Sequence, residues 1–163
     1  MQTDFRAGVV AVIGRPNVGK SSLLNRILKY KLSIVSAKPQ TTRDNILGLY
    51  NGAASQILFV DTPGIHAPLN KLGERLVERA VSGLEDANVV LYVVTIDDRP
   101  EQSENDRILK VLRDYPGIPV VLAVNKVDLP GSRSKILPLI DRFTKKMKLR
   151  DIVPVSAKDG TND

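Results

Sequence analysis

The sequence predicts a three-layer α/β fold, with helices on both faces of a six-stranded sheet that is mostly parallel and has one antiparallel edge strand. Three observations predict it. Short β-rich runs alternate with helical patterns along the chain. The runs VVLYVVTI and VVLAV are apolar without interruption, as expected of strands covered on both faces of a parallel sheet. Asn51-Gly52 separates two strand-like runs and favours a hairpin turn at positive φ, which makes those strands antiparallel neighbours at an edge.

In order, Gly8–Ile13 reads as a strand, and a helix begins at Lys20. Strands at Asn45–Tyr50 and Gln56–Asp61 form the hairpin, and a helix near Asn70–Asp86 leads to the strand Asn88–Thr95. A helix near Glu101–Asp114 precedes the strand Ile118–Val124, and a basic helix precedes the strand Ile152–Val155. Residues 31–44 and 62–69 lack regular pattern, and long unpatterned stretches in a small domain tend to carry function, so both are candidate switches.

The 163 residues fit one domain, and a 42% hydrophobic content suffices to cover the sheet. The sequence stops at Asp163, just after a strand, where the next helix of an α/β fold is expected to begin, so residues 1–163 read as a domain cut before its last helix. With no cysteine and one histidine, disulfides and thiolate metal sites are excluded and a histidine-built site is disfavoured. No signal-peptide pattern or membrane-spanning apolar run is present, which together with the cysteine count points to a soluble cytoplasmic protein.

The formal charge of +6 is localised. Residues 131–150 carry seven basic side chains (Arg133, Lys135, Arg142, Lys145, Lys146, Lys148, Arg150) and one acid, Asp141, while the other residues balance. Ile136, Ile140, Phe143 and Met147 recur at helical spacing and would face a core. The basic face is then either a solvated helix surface or an electrostatic footprint for RNA or an anionic membrane, the latter meaning a peripheral position at the inner membrane face.

The run Gly14-Arg15-Pro16-Asn17-Val18-Gly19-Lys20-Ser21 matches G-x-x-x-x-G-K-[ST] between a strand and a helix that continues through Ser22. Such a loop turns backbone N–H groups onto phosphates, and the helix N-terminus adds positive potential. Lys20 would reach the β- and γ-phosphates, and Ser21 would place its hydroxyl on Mg²⁺. This makes the fold a P-loop NTPase, and together with the motifs that follow it resembles a Ras-like G domain. Asn125-Lys126-Val127-Asp128 ends the strand IPVVLAV at the edge where α/β proteins bind ligands. The Asp128 carboxylate can accept from guanine N1–H and the 2-amino group, a donor pair that adenine lacks. Asn125 can tie this loop to the phosphate loop and contact N7, and the Lys126 stem can cover the base. Ser156-Ala157-Lys158 follows the last strand, where the Ala157 N–H can donate to guanine O6.

Asp61-Thr62-Pro63-Gly64 closes the strand ILFVD, offering a carboxylate to Mg²⁺ and the Gly64 N–H to a γ-phosphate. Within Thr41-Thr42-Arg43-Asp44, Thr42 would complete the Mg²⁺ shell only while the γ-phosphate is present, which makes the first long loop a switch. Ser21, Thr42 and Asp61 form the metal set. Lys20, Thr42, Gly64 and Asn17 are the residues assigned to catalysis.

These motifs resemble those of the translation-factor-related GTPases. Ser36-Ala37-Lys38-Pro39-Gln40-Thr41-Thr42-Arg43, Asp61-Thr62-Pro63-Gly64-Ile65-His66-Ala67-Pro68 and Asn70-Lys71-Leu72-Gly73-Glu74 resemble the Era family in particular, over essentially the whole chain. The resemblance implies a monomeric GTPase with slow intrinsic turnover, acting as a nucleotide-dependent switch in assembly of the small ribosomal subunit. It also implies that 16S rRNA is read by a KH domain, which lies outside this sequence.

Ile65 stands where Ras-type proteins carry a water-positioning glutamine and can neither donate nor accept. The resemblance suggests a substitute, a K⁺ ion held by Asn17 and switch-loop carbonyls. His66 as a base and Arg43 as an internal cation are the alternatives. Two other classes compete with a GTP-hydrolysing switch. A P-loop ATPase is opposed by Asp128, and a nucleotide-regulated RNA-binding module with negligible hydrolysis has only the basic helix behind it.

Overall fold

The computed structural model describes residues 5–29, 46–62 and 81–162. Six strands build one sheet: β1 (Arg6–Ile13), β2 (Ile46–Asn51), β3 (Ser55–Asp61), β4 (Val89–Thr95), β5 (Val120–Asn125) and β6 (Asp151–Pro154). The helices with described bounds are α1 (Lys20–Leu28), α2 (Ser103–Arg113) and α3 (Ser132–Thr144), and residues 81–85 are helical as well. The strand order is β2-β3-β1-β4-β5-β6. β1 pairs in parallel with β3 and β4, β5 continues the parallel sheet to β6, and β2 runs antiparallel to β3 at the edge. Among the described residues no helix is long and apolar enough to cross a membrane.

The unbroken apolar runs have the predicted cause. On β4, Val90, Tyr92 and Val94 enter one core while Val93 enters the other, and on β5 Leu122 and Val124 part from Ala123 in the same way. The first core is closed by Ile108, Leu109 and Leu112 of α2 and by Leu139 and Phe143 of α3. The Phe143 ring meets Tyr92 edge-on at 5.8 Å. The second core is closed by Leu23, Leu24 and Leu28 of α1 against Val12, Val93 and Ala123. The buried Tyr92 hydroxyl donates to Asn105 Oδ1 at 2.8 Å, so its polar end is satisfied inside α2.

Three details differ from the sequence expectations. The hairpin forms, but the chain reverses at Ala53-Ala54, closed by the Gly52 N–H donating to the Ser55 carbonyl at 2.8 Å. Neither Asn51 nor Gly52 has positive φ; Asn51 is still in the strand, where its side chain accepts from Gln56 at 2.8 Å. The basic helix stops at Thr144, and Leu139 rather than Ile140 is the fully buried residue of its inner face. Steps of three and four both fit a helix period, and it is Leu139 that joins Phe143 in the first core. β6 starts one residue earlier than expected and ends at Pro154. Of the helix expected near Asn70–Asp86, only residues 81–86 are described, and of the two candidate switches only Thr62 is.

Candidate nucleotide site

Because β1, β3, β4, β5 and β6 are parallel, their C-terminal ends share one edge, and the loops that leave this edge carry the predicted site. At the end of β1 the loop 14–20 lies hard against its neighbours. A Cβ on Gly14 would sit 2.5 Å from the Val93 carbonyl oxygen, and one on Gly19 would sit 2.3 Å from Asn125 Nδ2. Only glycine permits these approaches, and Gly19, at φ 97, also needs glycine's conformational freedom. Val18 is fully buried beneath the loop, while Asn17 is exposed at φ 64.

Lys20 opens α1 and is buried. Its ammonium donates to the carbonyls of Gly14 and Arg15, each at 3.2 Å. Burial lowers its pKa to about 8, and the charge of Asp61 opposes that shift. Ser21, next on the helix, donates its hydroxyl to Asp61 Oδ2 at 2.8 Å, so the carboxylate that ends β3 stands beside the loop that ends β1. Thr62, fully buried, donates both its N–H (3.3 Å) and its hydroxyl (2.7 Å) to the Val12 carbonyl. Its hydroxyl thus fastens β3 to β1.

Asn125 ends β5 and is the tie point of the site. Its Nδ2 donates to the Val18 carbonyl at 2.9 Å, and its Oδ1 accepts from the Ala157 N–H at 3.0 Å. One buried amide therefore joins three loops. Lys126, at φ 65, donates to the Asn17 carbonyl at 3.0 Å, a second strut between the same loops. Asp128 accepts from the buried Ser156 hydroxyl at 2.8 Å, and Lys158 lies 4.0 Å from its other oxygen. Gly19, Ser22, Asn125, Lys126, Asp128 and Ala157 line a cavity of about 230 Å³. A larger one, about 620 Å³, touches Asp128 from the other side but neither the phosphate loop nor Asn125. Of these two cavities, the smaller one meets both the phosphate loop and the Asp128 carboxylate.

Residues 9–126 match the family of 50S ribosome-binding GTPases. This chain belongs to that family. A structure of Era in complex with MgGDPNP and nucleotides 1506–1542 of 16S ribosomal RNA is 41% identical, with a TM-score of 0.88 over 97% of this chain and 53% of that one. An Aquifex aeolicus Era variant bound to GDP and aluminium fluoride is also 41% identical, with a TM-score of 0.87 over 96% of this chain and 53% of that one. Translation elongation factor SelB from Methanococcus maripaludis, in complex with a GTP analogue, shares the fold at 21% identity, with a TM-score of 0.72 over 98% of this chain and 32% of its own. The resemblance to Era holds, and this GTPase chain spans about half the length of the Era chains it matches, 53%.

The GTPase motifs thus converge on one edge, except that Thr42, Pro63 and Gly64, with Arg43, Ile65 and His66, lie outside the described residues. One predicted contact has another partner here. The Ala157 N–H expected at guanine O6 is engaged by Asn125, so a base must share or displace that bond. The Ser156 hydroxyl donates to Asp128 and so supports that carboxylate.

Sequence reasoning missed two residues. Asp98, buried after β4, accepts Arg15 Nε at 2.6 Å and also pairs with its Nη2. Burial opposes the Arg15 charge, but the hydrogen bond and charge of Asp98 outweigh it, and the guanidinium pKa is raised. Arg26 of α1 donates to the Lys158 carbonyl at 3.4 Å and packs where a Cβ on Gly160 would fall, bracing the loop after β6. The signal for Asp98 was the acidic pair Asp97-Asp98 just after a buried strand, with an arginine in the phosphate loop. Arg26 left no signal at all.

Mg²⁺ fits the residues present. The Ser21 hydroxyl and the Asp61 carboxylate are hard oxygen donors 2.8 Å apart beside a phosphate loop. Among the described residues no group of three acids or histidines could hold a metal unaided. A cation here would take its remaining ligands from water and phosphate, as Mg²⁺ does.

Proposed function

We propose that this chain binds GTP with Mg²⁺ and hydrolyses it slowly to GDP and phosphate, as the nucleotide-dependent switch of a protein that acts in small-subunit assembly. One observation carries the reading: Asn125 bonds the Val18 carbonyl and the Ala157 amide at once, so the phosphate loop and the Asp128 carboxylate face a single cavity of base size. Asp128, held by Ser156, selects guanine through the N1–H and 2-amino donors. The loop N–H groups between Gly14 and Ser21, Pro16 excepted, take the phosphates, and Lys20, held by the Gly14 and Arg15 carbonyls, turns its remaining N–H to phosphate oxygens. Ser21 and Asp61 would hold Mg²⁺, with Thr42 joining in the triphosphate state; the ion supplies charge to the β- and γ-phosphates. Pro63 and Gly64 belong to the same γ-phosphate response.

Hydrolysis transfers the γ-phosphoryl group to water and leaves GDP. Asn17 is our candidate for holding K⁺ beside the transferring group, since its side chain is exposed at the loop tip while Lys126 fixes its carbonyl. The support for the ribosomal role is the match to Era, one of whose structures holds 16S rRNA. That role, with rRNA read by a KH domain, is proposed for the whole protein, in the cytoplasm. The exposed Arg133, Arg142, Lys148 and Arg150 are the surface through which peripheral contact with RNA or membrane is proposed.

The test is GTP turnover by the purified chain with Mg²⁺ in KCl and in NaCl, with ATP as competitor and Asp128→Asn as control. Faster turnover in K⁺ and weakened GTP use by the variant are expected. Preference for ATP would overturn the guanine assignment, and equal rates in both salts would remove K⁺ and leave His66 or Arg43.

A further inference from the structure

We infer that Arg15 and Asp98 form a positioning pair that sets the phosphate loop, and through it Lys20, for phosphoryl transfer; this rests on the GTPase reading above. Arg15 lies inside the loop, yet its side chain turns onto Asp98, so its guanidinium is not spent on phosphate. Nε and Nη2 both reach Asp98 Oδ1, and Oδ2 accepts the Thr95 N–H at 2.9 Å. The Asp98 N–H in turn donates to the Thr95 carbonyl at 3.0 Å. The carboxylate is therefore fixed by the turn that closes β4, and Thr95 of that turn is in register with Asn125 on β5.

The same residue that grips Asp98 with its side chain offers its carbonyl to Lys20 at 3.2 Å. Gly14, one residue back, is pressed against the Val93 carbonyl of β4 and offers the second carbonyl. The start of the loop is thus clamped to β4 twice, and both clamped residues hold the Lys20 ammonium. Charge-assisted bonds to a buried carboxylate are short and directional, and a displacement of about 1 Å at a reacting group costs on the order of a hundredfold in rate. Arg15 touches no reacting atom in this arrangement; it acts through its carbonyl and Lys20.

The test uses Arg15→Ala, Arg15→Lys, Asp98→Asn and the double variant Arg15→Ala with Asp98→Asn, in the 163-residue chain. Asp98→Asn keeps an acceptor for the Thr95 N–H, and Arg15→Lys keeps the charge, so folding is retained in at least these two. At saturating GTP, kcat falls about tenfold in Arg15→Ala and in Asp98→Asn, less in Arg15→Lys, and no further in the double variant, as for residues acting as one unit. Guanidinium ion added to Arg15→Ala restores turnover while Asp98 is present and fails in the double variant. Preference for GTP over ATP is unchanged throughout. Lower melting temperatures with unchanged kcat in active protein would overturn the inference alone, reducing the pair to a structural ion pair. Absence of turnover in the unmutated chain would overturn both it and the GTPase reading.

Discussion

Replacing Asn125 by alanine should separate the phosphate loop from the base loops. The side chain is 2% exposed and makes two bonds, to the Val18 carbonyl at 2.9 Å and from the Ala157 N–H at 3.0 Å. Alanine leaves the buried Val18 carbonyl and the half-buried Ala157 N–H without it, and each such group costs about 1–3 kcal/mol, so about 3 kcal/mol for the pair lies toward the low end of a range of about 2–6 kcal/mol. In a domain of this size that lowers Tm by about 6–12 °C. Nucleotide affinity falls too, because the cavity is bounded by loops that Asn125 joins, and 3 kcal/mol is on the order of a hundredfold in Kd. Asn125→Asp separates the two bonds: it keeps an acceptor for Ala157 and sets an oxygen against the Val18 carbonyl. The measurements are thermal melting without nucleotide and GDP titration by calorimetry. An Asn125→Ala protein that melts early yet holds GDP as tightly as its parent would refute the reasoning, since the three loops would then be positioned independently of their shared amide.

Lys20 should couple nucleotide binding to protons. Burial depresses its pKa from 10.5 to about 8, so between about pH 8 and 10.5 the folded, nucleotide-free chain holds fewer protons than the unfolded one, and stability from this group rises with pH across that window. Phosphates restore the charge, so near pH 8 binding takes up about half a proton per nucleotide, and near pH 6.5 almost none; calorimetry in buffers of different ionisation enthalpy reads this, and zero uptake near pH 8 would contradict the burial. Asp61→Asn should raise the Mg²⁺ needed for half-maximal turnover by about 10–100-fold while GDP binding in EDTA is held, and an unchanged Mg²⁺ requirement would remove Asp61 from the metal site. Gly160→Ala should cost at least about 1 kcal/mol, because the residue sits at φ 86 and the added Cβ must displace the Arg26 guanidinium that braces the loop. A melting curve shows the loss, and a Tm equal to the parent's would mean that the loop relaxes.

The layers and strand directions were legible because each buried strand had lost its alternation, as in Val89–Thr95, and because a phosphate loop fixes what precedes and follows it, whereas the strand order came only with the fold. Local identity decided these elements. The hairpin turn was misjudged because Asn51-Gly52 was weighed on backbone preference alone, whereas strand pairing carried Asn51 onward and moved the reversal to Ala53-Ala54. Leu139 was overlooked in favour of Ile140 because helical period cannot resolve neighbours that share a face edge; only the packing of the helix on the sheet does. For the site, the residues assigned to ligand chemistry, such as Lys20, Asp61 and Asp128, could be named from motif and spacing. Residues that hold those groups, such as Asp98 and Ser156, needed the fold, since Asp98 lies 83 positions from Arg15 and the Ser156 hydroxyl 28 from Asp128.

The central place of β1 also dictates the order in which this chain can mature. The β2–β3 hairpin pairs residues close in sequence, from Asn51 with Gln56 outward, and can zip early from its own turn. β1 has no such local partner: its neighbours are Ser55–Asp61 on one side and Val89–Thr95 on the other, so its closure must wait for both to be synthesised and collapsed. The cradle at its end, sealed by Val93 and by Asn125 from further along, is among the last things to exist. Capture of nucleotide is therefore a late event in biogenesis, and a fluorescent GDP added during refolding would report completion of the sheet rather than its onset.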